Sequence, residues 1–264
     1  EYAGESKFAM SRLTEPMEII RSQQQPREAF DLQQIIDLSD GAVRGFDDQV
    51  RDVCQCLDQC GLMDNTILVI YSDHGMEFFE KDTWGQGNSI YSEYSNRVPV
   101  VLCGPGVAPK GVAEATVRSV DLAPTLLELA GLQQAETMDG TPLLKNGEPC
   151  SEALPAYCET GLWLAPPPNQ VEGHLGYPSL LEILEIADKR SGTISVKQEY
   201  KELVRQAKDR LIRAGHWKLV RIPLEHGFEY SLYDLRTDSD CNTNVAEQNP
   251  GIVEELRIQL EGFG

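Results

Sequence analysis

The spacing of apolar residues predicts one long helix in the first quarter of the chain. Apolar side chains recur at steps of three and four residues from Ile36 to Leu57, and Gly61 follows where a helix C-cap is expected. The residues before this pattern are polar and show no sustained period, as in "RSQQQPREAF". Residues 1–35 are therefore predicted to be a connecting segment.

Two short apolar runs predict buried strands. The stretch "NTILVIYSD" is apolar on both faces, which is typical of a parallel strand covered by helices on each side. A second buried strand is predicted at Val98–Leu102, and "SVDLAPTLLELAGL" predicts a helix that begins at Ser119 or Asp121 and ends at Gly131. Helix, strand, strand and helix in this order indicate an α/β fold.

The second half of the chain has a different character. Residues 151–209 combine a Pro-rich stretch with a charged stretch of helical period over 181–213, and they predict a variable loop and helical insertion. The segments "HWKLVRI" and "FEYSLYDL" alternate around "PLEHG" and predict an antiparallel hairpin, after which a last helix begins at Pro250. Residues 210–264 are thus predicted to form a small C-terminal hairpin and helix subdomain.

The charge balance limits the classes of partner. The 264 residues include 23 Lys and Arg against 42 Asp and Glu, for a formal net charge of −19. Such a field repels nucleic-acid backbones and anionic lipids, so no nucleic-acid partner is expected. An anionic substrate requires a local positive charge, which favours a bound cation. With no apolar run of about 18 residues, no membrane span is expected.

The cysteines and the N-terminus bear on the compartment. Seven cysteines without a regular frame indicate free thiols, for which the cytoplasm is expected and the periplasm is the alternative. Cys56 and Cys60 are interpreted as small core-filling residues in preference to part of a soft metal site. The first residues lack the features of a signal peptide, and a chain that opens on Glu-Tyr is expected to be processed or part of something longer.

The tripeptide Asp73-His74-Gly75 carries the candidate chemistry. It follows the first predicted strand, at the sheet edge where ligands of open α/β sheets collect. An adjacent carboxylate and imidazole can both reach one cation, and Gly75 leaves room for the backbone to turn. Taken alone, the tripeptide is more often a capped turn beside a satisfied histidine. His174, His216 and His226 show no metal-ligand spacing and are expected in surface or hairpin roles.

Five segments in consistent order resemble the C-terminal half of the sulfatases in the alkaline phosphatase superfamily. They are "GAVRGFDDQVRDVCQCLDQCGL", "GLMDNTILVIYSDHGMEFFE", "SNRVPVVLCGPGV", "VDLAPTLLELAG" and "YDLRTDSDCNTNVA". The resemblance implies an alkaline phosphatase-like, mostly parallel sheet sandwiched by helices, of which residues 36–150 form the C-terminal part with the SDHG metal turn. It also implies hydrolysis of a sulfate ester, or of a phosphate or phosphonate ester in sister branches, at a divalent cation.

The resemblance also assigns roles to particular residues. Asp73 corresponds to a metal ligand and His74 to its partner, with Ca²⁺ ranked first on family grounds and Mn²⁺, Mg²⁺ and Zn²⁺ as alternatives. Gln86 occupies the place of a His or Lys that contacts the ester oxygens, in a loop that usually reads "GHGN" or "GKGT". A neutral amide brings no positive charge to the substrate, so weaker catalysis is expected.

The family's nucleophile motif is missing from this sequence. No cysteine is followed by x-Pro-Ser-Arg, where members of the family form formylglycine, and no paired Asp ligands follow an N-terminal strand. Asp47 and Asp48 lie within the predicted long helix and are expected on its solvated face. The catalytic nucleophile, formylglycine, is therefore expected in an N-terminal half of the same protein, which would be this chain's partner, and the chain alone is expected to be inactive.

Two alternatives remain open from the sequence. Gln86 favours a degenerate, non-catalytic sulfatase-like module. His74, which takes a position where many members have Asn, slightly favours a phosphodiesterase, phosphonate hydrolase or phosphoglycerol-type transferase of the same superfamily.

Overall fold

The computed structural model describes residues 25–85, 89–108, 116–150, 154–163 and 171–263. The described residues divide into two compact units. The first unit contains the described residues of ranges 36–73 and 98–156. The second unit contains the described residues up to 35, those from 74 to 97 and those from 157 onward.

The described ranges contain helices and short strands throughout. The α-helices are α1 (Leu32–Gln59), α2 (Leu122–Leu129), α3 (Leu180–Ile183), α4 (Lys201–Gln206) and α5 (Pro250–Glu261). The strands are β1 (Leu68–Tyr71), β2 (Glu77–Phe78), β3 (Trp84–Gly85), β4 (Val100–Cys103), β5 (Leu144–Lys145), β6 (Glu148–Pro149), β7 (Ala156–Glu159), β8 (Leu184–Asp188), β9 (Thr193–Val196), β10 (Arg210–Ala214), β11 (Trp217–Leu224) and β12 (Gly227–Asp234). Single 3₁₀ turns lie at Arg27–Ala29, Met63–Asn65, Ser119–Asp121 and Gln198–Tyr200. Among the helices described, none is long and apolar enough to cross a bilayer.

Helix α1 confirms the long helix that the apolar spacing predicts. The backbone N–H of Gln34 donates to Asp31 Oδ1 at 3.2 Å, so Asp31 caps the N-terminus. At the other end, Leu62 N donates to Leu57 O at 2.9 Å while Gly61 adopts a φ of 66°. This is a Schellman arrangement, and it explains why the helix ends where the glycine stands.

Strands β1 and β4 form a two-stranded antiparallel sheet in the first unit. Leu68 is opposite Cys103 and Tyr71 is opposite Val100. The expectation that β1 has parallel neighbours is therefore wrong for the neighbour that the structure describes. An apolar pattern on both faces indicates coverage of both faces, and it carries no information on the direction of the adjacent strand.

Helix α2 begins as the sequence predicts, but its cap differs. Asp121 occupies the N-cap position without a side-chain capping bond. Its carboxylate instead accepts from Arg118 Nη2 at 2.6 Å, from Arg118 Nε at 2.8 Å and from the backbone N–H of Thr141 at 2.9 Å. The carboxylate thus holds together three parts of the first unit. The helix ends before Gly131, as expected, where φ is 68°.

A four-stranded sheet in the order β12-β11-β10-β7 organises the second unit. The predicted hairpin is confirmed, because β11 and β12 pair antiparallel from Trp217 opposite Asp234 to Leu224 opposite Gly227. Helix α5 begins at Pro250, again as predicted. Both faces of the sheet are covered. On one face, Ile90 packs against Leu211, Val220, Ile222, Tyr233 and Cys241. On the other face, Leu256 and Leu260 of α5 pack against Ile212, Leu219 and Leu232.

The helical pattern expected over 181–213 is wrong for most of that stretch. The chain forms the short helix α3, then a hairpin of β8 and β9, and only then the short helix α4. The turn between the strands is held by Asp188, which accepts from the backbone N–H of Arg190 at 2.8 Å and from Ser191 Oγ at 3.0 Å. Local turn chemistry, completed by Gly192 with a φ of 70°, overrides the helical period. The stretch "APPPNQ" lies outside the described residues.

Two fully buried charged residues, Lys218 on β11 and Glu77 on β2, both bond to Ser92. Lys218 on β11 donates from Nζ to Ser92 O at 2.8 Å and to Glu93 Oε1 at 3.1 Å. Glu77 on β2 accepts from Ser92 Oγ at 2.7 Å and from Thr83 Oγ1. Burial raises the pKa of Glu77, although the hydroxyl donors Thr83 and Ser92 lower it in part.

The first prediction tests the Asp121 cluster. Asp121→Ala leaves Arg118 without its carboxylate and the Thr141 N–H without an acceptor, so we expect a loss of about 3 kcal/mol in the free energy of unfolding, measured with urea. Asp48→Ala is the matched control, because Asp48 also pairs with an arginine three residues away but its side chain is 47% exposed. Equal losses in the two variants would contradict the role given to Asp121.

The second prediction concerns pH. A carboxyl group whose pKa is raised on folding favours the folded state most at low pH, and this contribution is lost as pH rises above the ordinary Glu value of 4.5 and through the higher folded pKa. Glu77→Gln cannot ionise, so we expect the stability of the wild type to fall relative to this variant as pH rises above 4.5. Unfolding at several pH values measures the difference. Glu185→Gln, at an exposed position, should follow the wild type.

Candidate functional site

The candidate metal turn follows β1 directly. Strand β1 ends at Tyr71, and Asp73 lies two residues beyond it with an exposed side chain. Asp73 belongs to the first unit and His74 to the second. The carboxylate is therefore accessible at a strand end, as the sequence predicts for a ligand-binding edge.

The histidine of this turn is half-buried and has a defined tautomer. His74 Nδ1 lies 2.9 Å from the carbonyl oxygen of Gly75. A carbonyl only accepts hydrogen bonds, so Nδ1 carries the proton and donates. When the imidazole is neutral, this bond leaves the lone pair on Nε2, which is the form in which a histidine ligates a metal while its other nitrogen is oriented by a backbone carbonyl.

Gly75 is required by a close approach of the backbone. A Cβ at this position would lie 1.8 Å from Tyr94 O, and Gly75 N donates to Ser95 O at 2.9 Å. Any larger residue would push the chain at residues 94–95 away from the turn. The glycine thus fixes the position of His74 against a neighbouring segment of the second unit.

The residues after the turn contain polar groups that the sequence analysis missed. Ser92 bonds to Glu77 through its hydroxyl and to Lys218 through its carbonyl, and Glu93 accepts from Arg213 Nη1 at 2.9 Å as well as from Lys218. The only signal in the sequence was an acidic residue inside the apolar run "MEFF". These groups form hydrogen bonds and ion pairs with one another, so they position the segment, and none of them is left as an evident nucleophile or base.

The other candidate residues have varied outcomes. Gln86 lies outside the described residues, so its role stays a prediction. Asp47 is exposed, Asp48 is half-exposed, and both pair with Arg51, which confirms the solvated face. The interpretation of Cys56 and Cys60 as core-filling residues is wrong, because both are exposed; no disulfide joins any of the seven cysteines.

The expectation for the three further histidines is correct at two positions. His216 and His226 lie in the turns on either side of β11. The side chain of His174, in contrast, is buried: its Nε2 lies 2.7 Å from Asp209 Oδ1, and the centre of its ring lies 5.1 Å from that of Trp163. A buried pair of this kind has no sequence signal, because 35 residues separate its members. Within the described ranges, no group of three or more His, Cys, Asp or Glu side chains is placed to hold a metal ion.

Comparison with known proteins adds independent information. The sequence model of the Sulfatase family matches residues 4–132. The choline-sulfatase of Rhizobium meliloti is 29% identical over 213 residues, which are 81% of this chain and 33% of that protein. Arylsulfatase K of Xenopus laevis is 26% identical over 225 residues, 82% of this chain and 34% of that protein. The chain thus spans about a third of the length of these relatives.

The fold comparison agrees with the sequence comparison. A structure described as a complex with its substrate D-glucosamine-2-N,6-O-disulfate superposes with a TM-score of 0.65 at 20% identity, and the match covers 96% of this chain and 45% of the other. This similarity confirms the predicted α/β, alkaline phosphatase-like fold class. The family match over residues 4–132 and the relatives that bear sulfatase names together show that the chain is similar to proteins of the sulfatase family.

Proposed function

We propose that this chain is the C-terminal portion of a metal-dependent sulfuric ester hydrolase, in which Asp73 and His74 help to hold a divalent cation. The observation that carries the proposal is the Asp73-His74-Gly75 turn that follows β1 in a chain similar to sulfatases. The exposed carboxylate and the imidazole with its lone pair on Nε2 are both suitable ligands.

The two residues fit a cation only as part of a larger set of ligands. A divalent cation takes about four to eight ligands, so the others would come from outside the described residues. Oxygen ligands favour Ca²⁺ or Mg²⁺, whereas an imidazole favours Mn²⁺ or Zn²⁺; we rank Ca²⁺ first on family grounds. When bound, the cation would neutralise charge that develops on the ester oxygens. The role of this chain is to orient Asp73 and His74 toward the cation. Gly75 and the hydrogen bond of His74 Nδ1 hold the imidazole in place.

The charge of the chain supports the need for a cation. With a net charge of −19, the chain repels a sulfate ester from a distance. An anionic substrate can be held only where the local potential is reversed, and a divalent cation beside Asp73 would do so. Two relatives bear the names choline-sulfatase and arylsulfatase K, and the similar structure is a complex with a disulfated glucosamine, so we propose an organic sulfate ester as the substrate class here.

The exposed apolar surface of the first unit supports a missing partner region. Val43, Phe46 and Val53 on α1 are 65%, 51% and 50% exposed, and Val101 on β4 is 49% exposed. The apolar spacing of α1 predicts that this face is covered. We propose that an N-terminal half of the same protein, carrying the formylglycine nucleophile, packs on these residues. The cytoplasm remains the proposed compartment.

A second candidate is a degenerate sulfatase-like module that binds without hydrolysis. Gln86 favours it, because an amide supplies no positive charge where the family has His or Lys. The phosphoryl-transfer branches of the superfamily are less favoured, because the sequence relatives named above are sulfatases.

The third prediction concerns Asp73. In the complete protein, Asp73→Ala should abolish both high-affinity binding of Ca²⁺ or Mn²⁺ and sulfate ester hydrolysis, because a charged ligand is lost. Isothermal titration and an arylsulfate assay measure the two effects. Asp64→Ala is the control: Asp64 is also exposed and precedes β1 instead of following it. Unchanged metal affinity in Asp73→Ala would refute the proposed ligand.

The fourth prediction concerns Gln86. In the complete protein, Gln86→His should raise arylsulfatase turnover about tenfold or more, because the imidazole can supply the charge and the proton that the amide lacks. Gln86→Leu, of similar size but without polar atoms, should not gain activity. If the wild type and Gln86→His are both inactive while the metal is bound, the degenerate module becomes the correct description.

A further inference from the structure

A pocket of about 420 Å³ lies in the second unit, beside β10, β11 and β12. Its size is that of sites that hold small organic ligands. Its wall includes three arginines and one aromatic ring, namely Arg205, Arg210, Arg221 and Phe228. This concentration of positive charge is unusual in a chain whose net charge is −19.

Arg221 is the central feature of the pocket. Only 8% of its surface is exposed, and its Nε is buried without a hydrogen-bond acceptor. Among the described residues, no carboxylate or carbonyl forms an ion pair or hydrogen bond with its guanidinium. The guanidinium lies over the face of Phe228, whose ring centre is 4.7 Å from Arg221 Cζ. Buried arginines are almost always paired, so the position of this one requires an explanation.

The neighbouring charges increase the cost of this arrangement. Arg210 is directly opposite Arg221 in the register of β10 and β11, and like charges in such pairs destabilise a sheet. Burial, followed by the proximity of Arg210, lowers the pKa of Arg221. The strands therefore place two cations side by side on one face, which costs free energy unless an anion lies between or beside them.

The carboxylates nearby do not neutralise Arg221. Glu159 is shared by Lys208 and Arg210, with 3.3 Å between Arg210 Nε and Glu159 Oε2. Glu202 is taken by Arg205 at 2.6 Å.

Two further carboxylates, Glu261 and Glu225, also bear on the pocket. Glu261 acts on Arg221 only through a long-range attraction, and it is engaged by Arg257 at 2.6 Å. Glu225 lines the pocket with an exposed side chain. Arg221 is thus the cation that these acidic groups leave uncompensated.

We propose that this pocket is an oxyanion-binding site, in which the guanidinium of Arg221 binds a sulfate, phosphate or carboxylate group and Arg210 adds a second positive charge. A planar guanidinium binds such groups through two parallel hydrogen bonds. The half-exposed ring of Phe228 offers an apolar surface to whatever carries the anion. Arg221 and Lys218 point to opposite faces of β11, so Arg221 lies on the other face of this strand from the bonds of Lys218 to Ser92 and Glu93.

The test compares oxyanions with chloride. We would measure thermal unfolding of the chain in sodium sulfate, sodium phosphate and sodium acetate, each against sodium chloride at equal ionic strength, and then determine affinities by isothermal titration. In the wild type we expect at least one oxyanion to raise the melting temperature, because a ligand that binds only the folded state stabilises it. In Arg221→Gln we expect that increase to disappear and the dissociation constant to rise at least about tenfold.

Two further variants control for charge and for folding. Arg190→Gln removes the same charge from an exposed position on the β8–β9 turn and should respond like the wild type. Arg221→Lys keeps the charge but loses the paired hydrogen bonds, and it should bind weakly. In chloride alone, Arg221→Gln should melt no lower than the wild type, because the substitution removes an unpaired buried charge.

The source of the anion is distinguished by one more comparison. Glucosamine 6-sulfate should bind more tightly than inorganic sulfate if the group is carried by a sugar that packs on Phe228, and Phe228→Leu should remove that advantage. Equal affinities would identify a site for small free oxyanions. Equal responses of the wild type and Arg221→Gln to every oxyanion, or no response in the wild type, would overturn the proposal.

Discussion

The buried ammonium group of Lys218 is the constraint on which the second unit depends. An amine without exposed surface must find acceptors inside the protein, and Lys218 finds them in Ser92 O and Glu93 Oε1, more than 120 residues earlier in the chain. Ser92 is thereby fixed to β11, and its hydroxyl in turn satisfies the buried carboxylate of Glu77. The residues that follow the candidate metal turn are thus anchored to the sheet by these polar bonds and by the packing of Ile90 and Tyr91 against its core cluster. A polar anchor of this kind has few alternative geometries, because each displaced group would be left unsatisfied.

The sequence could predict the elements that are decided locally. Helix α1 with Gly61, the hairpin of β11 and β12, and the start of α5 at Pro250 all follow from apolar spacing and from the conformational preferences of single residues. The hairpin of β8 and β9 was missed because its charged residues also fit a helical period, and the turn around Asp188 decided between the two. The direction of β4 relative to β1 was missed for a different reason: pairing direction depends on the path of the chain between the strands.

The candidate site was predictable only in part. The resemblance pointed to Asp73 and His74, and the structure adds the tautomer of His74 and the steric reason for Gly75. It could not be known from spacing that Glu77 is buried, because its partners Ser92 and Lys218 are distant in sequence. Metal sites present the same difficulty, since their ligands come from separate parts of a chain and only the local portion of each ligand set leaves a pattern.

Charge connects the candidate metal turn with the arginine pocket. A chain of net charge −19 can hold an anion only where positive charge is protected from the surrounding carboxylates. At the metal turn that charge would come from a cation that Asp73 attracts, so the acidic composition there works in favour of binding. At Arg221 the charge belongs to the chain itself, and the nearby carboxylates of Glu159 and Glu202 are paired with other cations. A mobile cation and a buried guanidinium are thus two solutions to one electrostatic problem, and the second costs stability whenever the pocket is empty.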